Sequence, residues 1–203
     1  MLQFIRHRIN TAEELKTVAP EMGVEIDLRS NLTKDQSLHL SHDPWLEGEQ
    51  FSDWLKQFQK LKIQGPLLLN TKEDGLEETI MEEMRKIKKD NFLFLDTALP
   101  TLIHWVKQGL GHKFFLRLSS FEPASHLQAF KGKVEWLWVD CFDGIPMDKK
   151  NILDLKYDFK ICLVSPELQK KSMEEIKKFH ALLPLADAIC TKSPEYWESS
   201  FKI

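Results

Sequence analysis

Short apolar runs alternate with helical patterns along nearly the whole chain, and this alternation limits the folds open to it. Strands separated by helices are typical of βαβ units and a parallel sheet. Over 203 residues they match a single (β/α)8 barrel of the TIM type, spanning residues 1–203, better than an open doubly wound sheet, whose glycine-rich phosphate-binding fingerprint is absent. The runs predicted as strands are 2–5, 23–28, 67–70, 92–95, 114–117, 134–139, 159–164 and 186–190.

Helix candidates fill the gaps between these runs. Thr11 and Glu14 have the spacing of a capping box, and Ser165 is followed by a proline suited to the first helical position. The sequence also predicts an extra strand at 37–41, in the loop after the second run. The remaining predicted helices cover 50–60, 76–88, 99–107 and 172–183.

Composition argues against several classes of function. The chain carries 28 Lys and Arg against 31 Asp and Glu, and its basic residues are scattered, so it lacks the basic footprint of a nucleic-acid-binding protein. The N-terminal residues lack the long apolar core of a secretory signal, and no apolar run is long enough to span a membrane. We therefore expect a cytoplasmic protein that neither binds nucleic acid nor inserts stably into a membrane.

The cysteines do not form a recognisable metal or disulfide pattern. Cys141, Cys162 and Cys190 are odd in number, and each lies in or beside a strand-like run without C-x-x-C spacing. We expect reduced, buried thiols.

Two carboxylates occupy alternate positions of the second run. Successive strand side chains point to opposite faces, so Glu25, Asp27 and Arg29 share one face. If that face is enclosed, the two carboxylates repel each other and each costs roughly several kcal/mol to bury without compensation. A hard divalent cation with oxygen ligands is the simplest compensation. The alternative is a solvent-facing acidic edge of an antiparallel strand.

Polar residues stand at the ends of several strands, where barrel active sites gather. His7 closes the first run and His42 follows the predicted extra strand, so both histidines lie at strand ends near the carboxylate pair. Asn70 and Lys72, two residues apart at the end of the third run, are predicted to face the same interior. Other polar strand ends are Asp96, Arg117, Asp140, Ser165, Glu167, Thr191 and Lys192.

Three motifs, in this order, resemble the glycerophosphodiester phosphodiesterase and phosphatidylinositol phospholipase C superfamily of barrels. That family has His-Arg at the end of its first strand, Glu-x-Asp on the second, and His-Asp after a short extra strand. Its third strand carries an acid and a lysine two apart, and here Asn70 replaces the acid while Lys72 is retained. The matching motifs are His7-Arg8, Glu25-Ile26-Asp27 and His42-Asp43.

The resemblance implies a metal-dependent phosphodiester hydrolase acting on a glycerophosphodiester-like or sugar or polyol phosphodiester. It places Mg²⁺ or Ca²⁺ at Glu25, Asp27 and Asn70, with weaker binding because an amide carries no charge. His7 and His42 become general acid and base, in an order the sequence leaves open, as it leaves open whether a substrate hydroxyl or water attacks. The expected phosphate-binding residues are Arg8, Lys72, Arg29 and Arg117.

Two other functions remain open at the level of sequence. A barrel that binds a phosphate or sugar phosphate without turnover is motivated by Asn70, and small proteins of this type are associated with bacterial surface polysaccharide synthesis. A barrel isomerase or aldolase would use Lys72 or Lys192 as an amine nucleophile. The sequence gives no indication of oligomeric state.

Overall fold

The computed structural model describes residues 2–31, 37–145 and 149–201. The strands in these ranges are β1 Gln3–Arg6, β2 Gly23–Ser30, β3 Leu38–Leu40, β4 Glu49–Gln50, β5 Leu67–Thr71, β6 Phe92–Leu95, β7 Phe115–Leu118, β8 Trp136–Val139, β9 Lys160–Val164 and β10 Ala188–Thr191. The α-helices are α1 Ala12–Leu15, α2 Phe51–Lys60, α3 Glu77–Lys86, α4 Leu99–Lys107, α5 Lys149–Lys156 and α6 Pro194–Phe201.

The strand predictions agree with these bounds. Each predicted run contains a strand, and the extra strand predicted at 37–41 is β3. The two-residue strand β4 was not predicted. It pairs antiparallel with β3, so the chain after His42 forms a loop that returns to the same edge.

The chain divides into two compact units, Met1–Ile5 with Trp105–Ile203 and Arg6–His104. In the first unit the strand order is β1, β10, β9, β8, β7, and the pairs β10 with β9, β9 with β8, and β8 with β7 are parallel. In the second unit β2 pairs in parallel with β5, and β5 in parallel with β6. β3 joins β2 in the antiparallel sense.

The mixed α/β class and the parallel pairing are therefore confirmed, whereas a closed ring of strands is not shown. Among the described residues β6 pairs only with β5, and β7 only with β8. Periodicity marks strands and their buried faces but does not specify whether the last strands of a series hydrogen-bond to one another. The single domain over residues 1–203 stays a prediction.

The helices of the second unit follow from a simple spacing of apolar residues. One face of each helix repeats at i, i+3, i+4 and i+7, which places a stripe against the sheet. In α3 the first position of that stripe is Glu77, which is buried with the apolar members. The buried faces are Phe51, Trp54, Leu55 and Phe58 in α2, and Glu77, Ile80, Met81 and Met84 in α3.

The helix predictions hold in part. Thr11 caps α1 with the predicted capping box, its hydroxyl accepting from the Glu14 amide while the Glu14 carboxylate accepts from the Thr11 amide. The segment predicted as a helix at 172–183 forms two 3₁₀ stretches, Met173–Phe179 and Leu183–Leu185, because apolar spacing alone does not separate i+3 from i+4 hydrogen bonding. Helices α5 and α6 were not predicted.

The cysteine prediction is confirmed, since Cys141, Cys162 and Cys190 are all buried with free thiols. Burial raises the pKa of the Cys141 thiol to about 11 and that of Cys162 further. No helix in the described ranges is both long and apolar enough to cross a membrane.

Candidate active site

The two carboxylates of β2 are enclosed in the second unit. Glu25 is 0% exposed and Asp27 1% exposed. Their position follows from the parallel register between β2 and β5, which pairs Glu25 with Leu68 and Asp27 with Asn70. Burial on both faces of β2 excludes the solvent-facing acidic edge that the sequence left open.

Glu25 is held by the turn that follows β1. The backbone amide of Arg8 donates to Glu25 Oε2 at 2.7 Å, and His7 Nε2 lies 3.7 Å from the same oxygen. Arg8 has a φ of 56°, a left-handed conformation that is uncommon outside glycine and that aims its amide at the carboxylate. Burial and the charge of Asp27 raise the pKa of Glu25 to about 8, while the Arg8 amide, Lys72 and Asn70 act in the opposite direction.

Asp27 is surrounded by donors and cations. Lys72 Nζ lies 2.9 Å from Oδ1, and Asn10 Nδ2 donates to Oδ2 at 2.8 Å. Arg8 Nε is 3.3 Å from Oδ2. Burial alone would raise the pKa of this carboxyl, but Lys72, Asn10 and Arg8 together lower it from its ordinary value. Asp27 is therefore the stable anion of the pair.

Two buried oxygens beside these groups have no hydrogen-bond partner within the described residues. They are Glu25 Oε1 and Asn70 Oδ1, although the Asn70 amide is close enough to influence the pKa of Glu25. Leaving buried acceptors unpaired is costly, and hard oxygen donors are what Mg²⁺ and Ca²⁺ prefer. Glu25, Asp27 and Asn70 thus fit a divalent cation, with Lys72 competing for Asp27. No cluster of three or more His, Cys, Asp or Glu suited to a metal occurs in the described ranges, because the third donor is an amide.

His42 begins the loop between β3 and β4. Its Nδ1 lies 2.7 Å from Asp43 Oδ1, which leaves Nε2 as the nitrogen available for proton transfer. The loop is attached to β2 through the Ser41 amide, which donates to the Asp27 carbonyl at 3.1 Å. Gly48 packs so closely on β3 that a Cβ there would lie 1.6 Å from the Leu40 carbonyl oxygen. Both histidines are therefore attached to the strand that carries the carboxylates.

Arg29 is engaged by neighbours on both terminal nitrogens. Nη2 donates to the His42 carbonyl at 3.0 Å, and Nη1 lies 3.7 Å from Glu73 Oε1. The other carboxylate oxygen of Glu73 accepts from the Ser30 hydroxyl at 2.5 Å. The structure thus gives Arg29 protein partners at the positions a phosphate would use.

Arg117 lies in the first unit and has partners there. Its Nη1 donates to Asp140 Oδ2 at 3.0 Å, and its guanidinium lies over the Phe142 ring, 5.5 Å from the centroid. Burial raises the pKa of Asp140 despite the opposing charge of Arg117. Glu167, another predicted strand-end residue, accepts from the Thr191 hydroxyl at 2.6 Å. A phosphate-binding role for Arg117 stays a prediction.

Sequence reasoning missed Asn10. This residue grips Asp27 twice, because its Nδ2 donates to the carboxylate while its Oδ1 accepts from the Asp27 backbone amide at 2.9 Å. The only signal in the sequence is its position three residues after His7, next to the residue that caps α1. Strand periodicity carries no information about how a loop residue reaches across to another strand.

No family model matches the chain, and a search of curated proteins gave no match. Solved structures do match. A glycerophosphoryl diester phosphodiesterase from Parabacteroides distasonis superposes with a TM-score of 0.69 at 14% identity, covering 100% of this chain and 86% of that one.

Two further structures are similar over nearly their whole lengths. An Oleispira antarctica phosphodiesterase in complex with the product sn-glycerol-3-phosphate has a TM-score of 0.67 and 16% identity, covering 99% of this chain and 97% of that one. A glycerophosphodiester phosphodiesterase from Agrobacterium tumefaciens has a TM-score of 0.65 and 11% identity, with coverages of 97% and 99%. The resemblance predicted from the His-Arg, Glu-x-Asp and His-Asp motifs is thus confirmed at the level of the fold, and the low identities indicate a divergent chain.

Proposed function

We propose that this protein is a metal-dependent phosphodiester hydrolase acting on a glycerophosphodiester-like or sugar or polyol phosphodiester. The observation that carries the proposal is the group of two buried carboxylates, two cations and two unpaired buried oxygens on β2 and β5. The shared fold with several phosphodiesterases supports the same reaction class. One of those structures contains sn-glycerol-3-phosphate, which supports a small polyol phosphate as one half of the substrate.

Glu25, Asp27 and Asn70 are the proposed ligands of a divalent cation. When bound, such a cation would polarise a phosphodiester oxygen and lower the pKa of the attacking hydroxyl or water. The protein would supply Glu25 Oε1 and Asn70 Oδ1, the two acceptors with no other partner in the described part of the chain.

His7 and His42 are the proposed general acid and base. An imidazole near its ordinary pKa can both accept and donate a proton close to neutral pH. For His42 the Asp43 carboxylate orients the ring so that Nε2 faces the reaction. Which histidine removes the proton from the attacking group is left to experiment.

Arg8 and Lys72 are the proposed phosphate-binding cations. Both already face Asp27, so a phosphate entering beside the carboxylates would meet two positive side chains within reach. Together they balance the formal charges of Glu25 and Asp27, which limits the repulsion that an anionic substrate would otherwise experience.

A non-catalytic phosphate-binding protein is less favoured, since the solved structures with this fold are described as phosphodiesterases. An amine nucleophile is also less favoured. Lys72 is paired with Asp27, and Lys192 is exposed, with its backbone amide donating to Glu167 at 3.1 Å.

The test is turnover of a panel of glycerophosphodiesters and sugar phosphodiesters with Mg²⁺, Ca²⁺ or EDTA, followed by ³¹P NMR. We expect cation-dependent release of a phosphomonoester, and a loss of at least about 100-fold in His42→Ala and in Glu25→Gln. A cyclic phosphate among the early products would identify attack by a substrate hydroxyl, and its absence would indicate water.

The matched control is His112→Ala, which removes an exposed histidine outside the second unit. Its activity should equal that of the parent. Full activity in His42→Ala with retained folding would contradict the proposed mechanism, and the absence of turnover across the panel would favour the binding protein.

A further inference from the structure

We propose that Arg29 is a positioning residue for His42, holding the peptide of the catalytic histidine, and that it does not bind the substrate phosphate. The inference rests on the proposed function, because it assigns a role within the same site. Its central observation is the hydrogen bond from Arg29 Nη2 to the carbonyl oxygen of His42, at 3.0 Å.

The guanidinium of Arg29 has little left to offer a phosphate. Bidentate recognition of a phosphate needs two N–H groups of one edge in parallel. Nη2 is committed to His42 and Nη1 faces Glu73, while Nε is buried with no hydrogen-bond partner in the described ranges. The Arg29 side chain is also only 17% exposed.

The backbone around His42 is fixed to β2 at two points. The Ser41 amide donates to the carbonyl of Asp27, and the peptide of His42 accepts from Arg29 two residues further along the same strand. The Ser41 hydroxyl closes the turn by donating to the Asp43 carbonyl at 2.9 Å. Without Arg29 the loop would keep one attachment to β2, and the imidazole would lose the anchor on its own peptide.

Arg29 also connects the histidine loop to the end of β5. Lys72 pairs with Asp27, and the next residue, Glu73, pairs with Arg29. Glu73 is itself held by the Ser30 hydroxyl. Cation and phosphate ligands at the end of β5 and the proton-transfer group in the β3–β4 loop are therefore fixed to one another through Arg29.

The experiment compares Arg29→Ala and Arg29→Lys with Arg85→Ala, which removes an exposed arginine of α3 in the same unit. Loss of position predicts a fall in kcat of about 10- to 100-fold with KM changed less than about twofold, since displacement of a catalytic group by about 1 Å can cost about 100-fold. Arg29→Ala added to His42→Ala should cause almost no further loss, because both act through one group. Arg85→Ala should leave both constants unchanged.

A second measurement does not depend on turnover. In ¹H–¹³C NMR spectra the imidazole resonances of His42, assigned by their absence in His42→Ala, should shift or broaden in Arg29→Ala and remain in place in Arg85→Ala. If the parent turns over no substrate, the proposed reaction fails while this measurement still decides the anchoring.

Two results would overturn the inference. A large rise in KM with kcat retained would make Arg29 a phosphate ligand, and unchanged His42 resonances in Arg29→Ala would show that the anchor is not needed. If Arg29→Ala does not fold, Arg29→Lys and Glu73→Gln replace it, because each weakens the arrangement around the guanidinium without deleting the side chain.

Discussion

Asn10 and Asp27 form a closed pair of hydrogen bonds in which the amide side chain holds both the carboxylate and the backbone of the aspartate. The two bonds measure 2.8 Å and 2.9 Å. Because Asp27 is also paired with Lys72 and Arg8, its carboxylate cannot rotate without breaking several contacts at once. The pair fixes the direction in which the carboxylate faces the site.

Replacing Asn10 with alanine should lower the free energy of unfolding by about 2 to 4 kcal/mol, because two hydrogen bonds to partly buried groups are lost, one of them to a charged carboxylate. Urea unfolding monitored by circular dichroism measures the change. Asn91→Ala, at an exposed position, is the matched control and should stay within about 0.5 kcal/mol of the parent. Equal stability of the two variants would mean that Asp27 is oriented by its cations alone.

Asn70→Asp should tighten divalent-cation binding about tenfold or more, since it adds a charged oxygen ligand opposite Asp27 in the register of β2 and β5. Without cation the variant should melt lower than the parent, because a third carboxylate joins a buried pair. Thermal melts across titrations of Mg²⁺, Ca²⁺ and Mn²⁺ give both quantities, because a ligand of the native state raises stability with its concentration.

Asn70→Ala serves as the control for that titration and should lose cation-induced stabilisation. A cation response that persists fully in Asn70→Ala and in Glu25→Gln would place the cation elsewhere.

Glu77→Gln tests a buried carboxyl away from the candidate site. Burial raises the pKa of Glu77, and its Oε1 has no hydrogen-bond partner in the described part of the chain. The folded protein therefore holds this proton more tightly than the unfolded chain, so stability contributed by the neutral form is present at low pH and is lost as the pH rises through the raised pKa. Glutamine resembles the neutral acid and should be more stable than the parent at pH 7.

The readout for Glu77 is the difference in unfolding free energy between variant and parent from pH 4 to pH 7. The difference should be smallest at low pH and grow as the pH rises. Glu78→Gln, at the exposed neighbouring position, should show no such trend. A difference that is constant with pH would contradict the raised pKa.

The buried tryptophans Trp54 and Trp197 should respond differently to phenylalanine. Both are 0% exposed, but Trp197 Nε1 donates to the Ser165 hydroxyl at 2.8 Å, whereas Trp54 Nε1 has no partner among the described residues. Trp54→Phe removes an unsatisfied donor, while Trp197→Phe breaks a buried hydrogen bond. We expect Trp197→Phe to cost about 1 to 2 kcal/mol more in chemical denaturation, and the reverse order would count against the argument.

The sequence predicted every strand because buried strands are marked by compact apolar runs with turn residues between them. It could not predict closure, since hydrogen bonding between edge strands depends on twist and register. Helix α5 was missed because its lysine-rich sequence has only two buried residues, Ile152 and Leu155, and so presents a weak stripe.

Within the candidate site, spacing along strands located Glu25, Asp27, Asn70 and Lys72 in one place. Loop geometry was less accessible to sequence reasoning. The role of Asn10 depends on a reach across strands, and the engagement of Arg29 by the His42 peptide depends on a turn whose path no periodic pattern specifies.

The left-handed backbone at Arg8 makes one residue serve two carboxylates by different means. Its amide reaches Glu25 because of the unusual φ, and its side chain reaches Asp27 because of the guanidinium. Glycine would adopt the turn at no cost but bring no charge, and lysine would bring charge but keep the strain. Substitution at this position can therefore separate the shape of the turn from its electrostatics, and only an arginine supplies both in the arrangement seen here.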